Sequence, residues 1–176
     1  MKNIVLLGFM GTGKSAVGRR LAGEFHYQFV DTDQVIEEKT QKKIAEIFSE
    51  QGEPAFRRLE SEVVLTLADR TKCVISTGGG IVLNPANLEV LGRNGMLVLL
   101  RSTPEVIFKR VQKRVGQRPL LKSPDPLSEI KRLLAEREPF YQRADFALDT
   151  SEMSLADVVK QIKRKVLESE SRKSSS

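Results

Sequence analysis

A glycine-rich segment near the start of the chain points most directly to chemistry. Residues Gly8–Ser15 fit the pattern G-x-x-x-x-G-K-[ST] and directly follow the apolar run Ile4–Leu7. Glycines let the backbone curl so that successive N–H groups face phosphate oxygens. Lys14 offers a positive charge to the β- and γ-phosphates, and Ser15 offers a hydroxyl to Mg²⁺ where a helix begins. The segment therefore predicts a binding site for a nucleoside triphosphate.

Two aspartates are the candidate acids of this site. Asp31 and Asp33 follow the apolar residues Phe29 and Val30, where a second strand is predicted to end. One carboxylate can reach Mg²⁺ through water, and the other can accept a hydroxyl proton from a second substrate. The alternative is an Asx turn that begins the next helix. The apolar strand Cys73–Ser76, where an acidic magnesium ligand would otherwise be expected, carries no acid.

A triple glycine, Gly78-Gly79-Gly80, follows that same apolar strand. Ligands of open α/β folds bind at the carboxyl edge of the sheet, where this segment must lie. Three residues without side chains would let a ligand approach the backbone closely. An ordinary loop is the alternative, but it does not require three glycines.

Several arginines could bind anionic groups. Arg57 has Glu60 three residues later on a predicted helix, so Glu60 can hold its guanidinium in place. Arg137 lies near the end of another predicted helix, and a planar guanidinium suits a carboxylate or a phosphate. Lone arginines can equally be solvated surface residues. Arg118 lies in the basic, proline-containing segment Gln112–Pro126, which we predict to be a mobile lid that brings charge over the phosphoryl group.

The elements that must position these residues alternate between strands and helices. Helical spacing is clear after the glycine-rich segment, where Val17, Leu21 and Phe25 recur every four residues. This alternation favours a three-layer αβα fold with a parallel sheet. The predicted strands are Asn3–Leu7, Gln28–Val30, Cys73–Ser76, Met96–Leu100 and Phe146–Leu148.

Length and composition limit the class of protein. A chain of 176 residues with 40% hydrophobic residues fits one domain, which we place at residues 1–167, followed by a flexible tail at 168–176. No run of apolar residues is long enough for a transmembrane helix, and the single cysteine, Cys73, fits a reducing cytoplasm. The net charge of +6 suits small anionic substrates in a basic cleft. Nucleic acid is the weaker interpretation, because no block of five basic residues is present.

Taken together, the motifs closely resemble those of the shikimate kinases. The resemblance rests on Gly8–Ser15, Asp31-Thr32-Asp33, the segment from Gly52 to Glu60, the triple glycine and Arg118-Pro119-Leu120-Leu121, followed by Arg137-x-Pro-x-Tyr141. It covers about Lys2 to Val166. It implies a P-loop kinase fold with a five-stranded parallel sheet in the order 2-3-1-4-5. It also implies phosphoryl transfer from MgATP to the 3-hydroxyl of shikimate.

The resemblance also implies roles for individual residues. The implied ATP contacts are Gly11, Thr12, Gly13, Lys14, Ser15, Ala16 and Arg118, with Ser15 and Asp31 at the magnesium ion. Asp33 would be the base. The implied contacts to the carboxylate and hydroxyls of shikimate are Asp33, Arg57, Arg137 and the backbone of Gly78, Gly79 and Gly80. Phe48 and Phe56 would wall its ring. Either Arg110 or Arg114 would contact adenine.

Two other functions remain possible from the sequence. A kinase of the same fold could act on gluconate or a nucleoside monophosphate. A non-catalytic nucleotide-binding module is the second alternative, against which the joint presence of Lys14, Asp33 and Arg118 argues. We expect a monomer that binds ATP and a small anionic polyol, and neither nucleic acid nor membranes.

Overall fold

The described part of the computed structural model, residues 2–112 and 124–174, contains one parallel sheet of five strands in the order β2-β3-β1-β4-β5. This is the strand order expected from the sequence, and it confirms the αβα prediction. The sequence placed all five strands correctly, with three of them one or two residues longer in the structure. Their bounds are β1 Asn3–Leu7, β2 Gln28–Asp31, β3 Cys73–Ser76, β4 Gly95–Arg101 and β5 Phe146–Asp149.

Helices connect the strands and cover both faces of the sheet. Within the described residues they are α1 Lys14–Phe25, α2 Thr32–Thr40, α3 Ile44–Leu67, α4 Pro85–Arg93, α5 Pro104–Gln112, α6 Pro126–Tyr141 and α7 Leu155–Ser174, with a 3₁₀ turn at Ile81–Leu83. None of them is both long and apolar enough to cross a bilayer.

The central strand β1 is buried along its whole length because it has a packed layer on each side. Val5 and Leu7 belong to the core beneath α3 and α4, whereas Ile4 and Leu6 pack with α1 and α7. Successive side chains of a strand point to opposite faces, so an uninterrupted apolar run is what a strand covered on both faces requires.

The register of the strands brings the candidate residues to one edge of the sheet. Asp31, the last residue of β2, pairs with Ser76, and Ser76 pairs with Leu6 on the central strand. The glycine-rich segment, the two aspartates and the triple glycine therefore leave three adjacent strands at the same carboxyl edge.

Two features differ from the sequence expectation or extend it. α3 is broken at Gly52, where φ is 76° and ψ is 174°, so a second helical segment starts with Glu53 and Pro54. The expected flexible tail after residue 167 instead continues α7 as a helix to Ser174. Most of the predicted lid, and Arg118 and Arg114 with it, lies outside the described residues.

Candidate active site

The glycine-rich segment forms a tight loop between β1 and α1. Gly8, Gly11 and Gly13 have φ values of 141°, 77° and 99°, and a Cβ on Gly8 would lie 2.3 Å from the Leu100 carbonyl oxygen. Only glycine adopts this course without strain. Lys14 Nζ lies back along the loop and donates to the carbonyls of Gly8 (2.8 Å) and Phe9 (2.9 Å).

Side-chain oxygen atoms that could bind a metal ion cluster where α1 begins. Ser15 Oγ donates to Asp31 Oδ2 (2.9 Å) and lies 3.3 Å from Ser76 Oγ. The other oxygen of Asp31 accepts a hydrogen bond from the backbone N–H of Asp33 (3.2 Å), and in this way Asp31 caps the N-terminus of α2. One oxygen of Asp31 thus caps a helix, as the Asx-turn alternative predicted, while the other faces Ser15; the role of Asp31 at a magnesium ion stays a prediction. Hydroxyls and a carboxylate are ligands that suit Mg²⁺, which keeps several of its waters.

A cavity of about 620 Å³ opens beside these groups. It is lined by the glycine-rich loop and by Lys109, Arg110 and Ser151. Asp31, Asp33, Ser76, Thr77 and Gly79 also line it. The volume is in the range of small-molecule and cofactor sites.

The triple glycine makes room for charged side chains. A Cβ on Gly78 would lie 2.6 Å from Asp33 Oδ1 and 2.7 Å from Glu60 Oε1. A Cβ on Gly80 would lie 1.9 Å from Arg57 Nη1. The sequence interpretation, in which the missing side chains allow a ligand to approach, is therefore extended here: the missing side chains also admit the acids and the arginine.

Arg57 is held by two carboxylates. Its Nη1 donates to Glu60 Oε2 (2.6 Å), while Nε (3.0 Å) and Nη2 (2.7 Å) both donate to Glu53 Oε1. The contact with Glu60 is the one expected from their spacing. Glu60 is only 1% exposed, and this burial raises its pKa although Arg57 opposes the shift.

Arg137 reaches the same place from α6. Its Nη1 donates to the Gly79 carbonyl (2.9 Å), and its guanidinium lies 4.8 Å from the centre of the Phe9 ring. Burial lowers its pKa, since desolvation penalises the charged form. Arg57 and Arg137 thus approach neighbouring residues of the triple glycine from two helices, as a clamp for an anion requires.

Aromatic rings lie beside Arg57. Phe48 and Phe56 pack with ring centres 4.7 Å apart, and Phe56 lies 5.4 Å from the guanidinium of Arg57. Both rings pack in the core beneath α3. The structure thus places Phe48 and Phe56 next to Arg57, and their role as a wall for a ligand ring stays a prediction.

Arg110 lines the cavity and is hydrogen-bonded to the glycine-rich loop. It donates to the carbonyls of Gly11 (3.2 Å) and Thr150 (2.9 Å) and to Ser102 Oγ (3.0 Å). Of the two arginines considered for adenine, it is the one within the described residues. Sequence reasoning did not single out Ser102, because its partner Thr150 lies on a distant element whose alignment no local pattern gives. It also missed Glu53, although the spacing of four residues to Arg57 on one helix is a signal that could have found it.

Comparisons with known proteins show which family the chain resembles. The sequence model of the family described as "Shikimate kinase" matches residues 10–167. The shikimate kinase of Pelotomaculum thermopropionicum is 51% identical over 162 residues, covering 92% of this chain and 94% of that protein. The shikimate kinase of Caldanaerobacter subterraneus is 46% identical over 164 residues, covering 93% and 95%.

Solved structures give the same result. Shikimate kinase from Acinetobacter baumannii in complex with shikimate superimposes with a TM-score of 0.91 at 35% identity, covering 96% of this chain and 94% of that one. Shikimate kinase from Aquifex aeolicus gives 0.81 at 38% identity, with coverage of 93% and 95%. A gluconokinase from Sinorhizobium meliloti gives 0.59 at 20% identity, a likeness of fold alone. With the family model, the curated relatives and the fold in agreement, the chain belongs to the shikimate kinase family.

Proposed function

We propose that the chain transfers the γ-phosphoryl group of ATP to the 3-hydroxyl of shikimate, giving shikimate 3-phosphate and ADP. The observation that carries this proposal is the position of two arginines and an aspartate beside the phosphate-binding loop. Arg137 donates to Gly79, Arg57 lies against Gly80, and Asp33 lies against Gly78. An acceptor with one carboxylate and several hydroxyls matches that set.

The nucleotide half of the site binds the phosphates of ATP. Backbone N–H groups of Gly11, Thr12, Gly13 and Ala16 surround them, and Lys14 leaves its loop carbonyls to reach the β- and γ-phosphates. Ser15 and Asp31 would hold Mg²⁺, Ser15 directly and Asp31 through water. When bound, the ion neutralises phosphate charge. Arg118 completes the set from the lid.

The acceptor half orients the hydroxyl that reacts. Arg57 and Arg137 bind the carboxylate of shikimate, and the backbone at Gly78, Gly79 and Gly80 borders the ring. Asp33 accepts the proton of the 3-hydroxyl as its oxygen forms a bond to the γ-phosphorus. The bond between that phosphorus and the β,γ-bridging oxygen breaks, and ADP leaves. All these side chains belong to one chain, which supports activity as a monomer.

An acceptor panel tests the proposal. ADP release should depend on shikimate and not on gluconate or a nucleoside monophosphate. Asp33→Asn should nearly abolish transfer while ATP binding, measured by calorimetry, is largely kept, because the amide cannot accept the proton. Turnover with gluconate alone would overturn the choice of acceptor. A collapse of ATP affinity in Asp33→Asn would place Asp33 at the metal instead.

A further inference from the structure

One bidentate edge of Arg57 is occupied by a carboxylate of the protein itself. Nε and Nη2 form one of the two edges through which a guanidinium binds a carboxylate with two parallel hydrogen bonds, and Nη1 and Nη2 form the other. In the structure Nε and Nη2 both donate to a single oxygen, Oε1 of Glu53. The remaining nitrogen, Nη1, donates to Glu60. An incoming carboxylate that binds at the edge formed by Nε and Nη2 must therefore take the place of Glu53.

The two carboxylates around Arg57 differ in how easily they can be displaced. The side chain of Glu53 is 58% exposed, whereas that of Glu60 is 1% exposed. Glu53 can exchange its contact with Arg57 for water at little cost, but Glu60 would remain a buried charge without its partner. Of the two carboxylates, Glu53 is therefore the one that a ligand of Arg57 can displace.

The backbone around Glu53 supports this difference. Glu53 directly follows the break at Gly52, where the left-handed φ of 76° interrupts α3, and it lies in the first turn of the second helical segment. Within the described residues, the hydrogen bonds of its side chain all come from Arg57, four residues later. Glu53 can therefore change rotamer without disturbing the core.

We propose that Glu53 is an internal counter-ion that occupies this carboxylate-binding edge of Arg57 and is displaced by the carboxylate of the acceptor. Glu53 keeps the guanidinium oriented, and the acceptor binds by exchange with it. Because Glu53 must leave first, the affinity of Arg57 for every ligand carboxylate that binds at this edge is lowered by the same factor. Breaking an exposed ion pair of this kind lowers the affinity by a factor of about two to five. This inference rests on the proposed role of Arg57.

The test is Glu53→Gln, which keeps an acceptor oxygen for Arg57 but removes the competing charge. We expect the Kd for shikimate, measured by calorimetry, to fall about two- to fivefold. The Kd for cyclohexanecarboxylate, which has the carboxylate without the hydroxyls, should fall by the same factor. KM for shikimate should follow, while KM for ATP stays within experimental error. Glu50→Gln is the matched control, because Glu50 is exposed on the preceding helical segment and pairs with Lys42.

The outcomes separate this inference from the proposed function. Weaker shikimate binding in Glu53→Gln would show that Glu53 only positions Arg57, and an unchanged Kd would show that no exchange occurs. Either result overturns the counter-ion role. Absence of shikimate-dependent turnover in the wild type and in Glu50→Gln would instead overturn the proposed function.

Discussion

Adding one methyl group at Gly78 tests whether Asp33 is placed for catalysis. The new Cβ of Gly78→Ala would lie 2.6 Å from Asp33 Oδ1 and 2.7 Å from Glu60 Oε1, against the 3.4 Å at which ordinary van der Waals contact begins. To reach 3.4 Å from the new Cβ, Asp33 Oδ1 must move away by about 0.8 Å and Glu60 Oε1 by about 0.7 Å. Gly78 does not have a left-handed φ, so the backbone itself accepts alanine. The perturbation is thus confined to the two carboxylates.

The size of this movement sets the expected loss. A misplacement of about 1 Å at a reacting group costs about 10²-fold in rate, equivalent to ~2.7 kcal/mol of barrier. We expect kcat of Gly78→Ala to fall by about that factor in a coupled ADP-release assay. KM for ATP should change little, because the phosphate loop lies on another strand. Crowding should also lower the free energy of unfolding by about 1–3 kcal/mol.

Gly23→Ala is the matched control. A Cβ there meets nothing within 4 Å, and Gly23 lies in the regular helix α1. This variant should keep full activity and gain about 0.4–1 kcal/mol in stability. If folded Gly78→Ala retained kcat within about threefold of wild type, Asp33 would not be the group whose position limits the rate.

Two further variants test the electrostatics of the site. Lys14→Ala should lower kcat by about 10²-fold or more while circular dichroism shows an unchanged fold, since it removes a charge that stabilises the transferring phosphoryl group; near-normal turnover would contradict the role of the glycine-rich loop. Burial raises the pKa of Glu60 above its ordinary 4.5, so the folded protein binds this proton more tightly than the unfolded chain. This contribution to the free energy of unfolding is fully present below pH 4.5 and is lost as the pH rises through the raised pKa. Glu60→Gln has no such proton, and urea melts from pH 4.5 upward should show a flatter decline than wild type; equal slopes would contradict the assignment.

The strands and the phosphate loop could be predicted because their signals are local. β1 is apolar throughout, and the glycines that follow it are required by φ values that other residues rarely adopt. The pairing of Arg57 with Glu60 was also predictable, since three residues separate them on one helix. In each of these cases the residues that decide the structure lie within one turn or one strand.

The remaining features depend on how distant elements align. Whether Glu53 or Glu60 stays with Arg57 depends on burial beneath the triple glycine, which is about twenty residues further along the chain. Arg110 contacts Ser102 and Thr150 only because α5 packs beside the ends of β4 and β5. α7 continues past residue 167 to Ser174, over charged and serine residues whose composition predicted a flexible tail, because composition alone does not show where a helix ends.

Phe9 gives the two halves of the site a common support. Its carbonyl accepts from Lys14 (2.9 Å) and from the Thr12 hydroxyl (2.8 Å), while its buried ring lies beneath the guanidinium of Arg137 at 4.8 Å. In the proposed mechanism Lys14 turns toward the nucleotide, and its hydrogen bond to Phe9 is then lost at the residue that lies beneath Arg137. Binding of the two substrates is therefore expected to be thermodynamically linked. If ATP changes the affinity for the acceptor by some factor, the acceptor must change the affinity for ATP by the same factor.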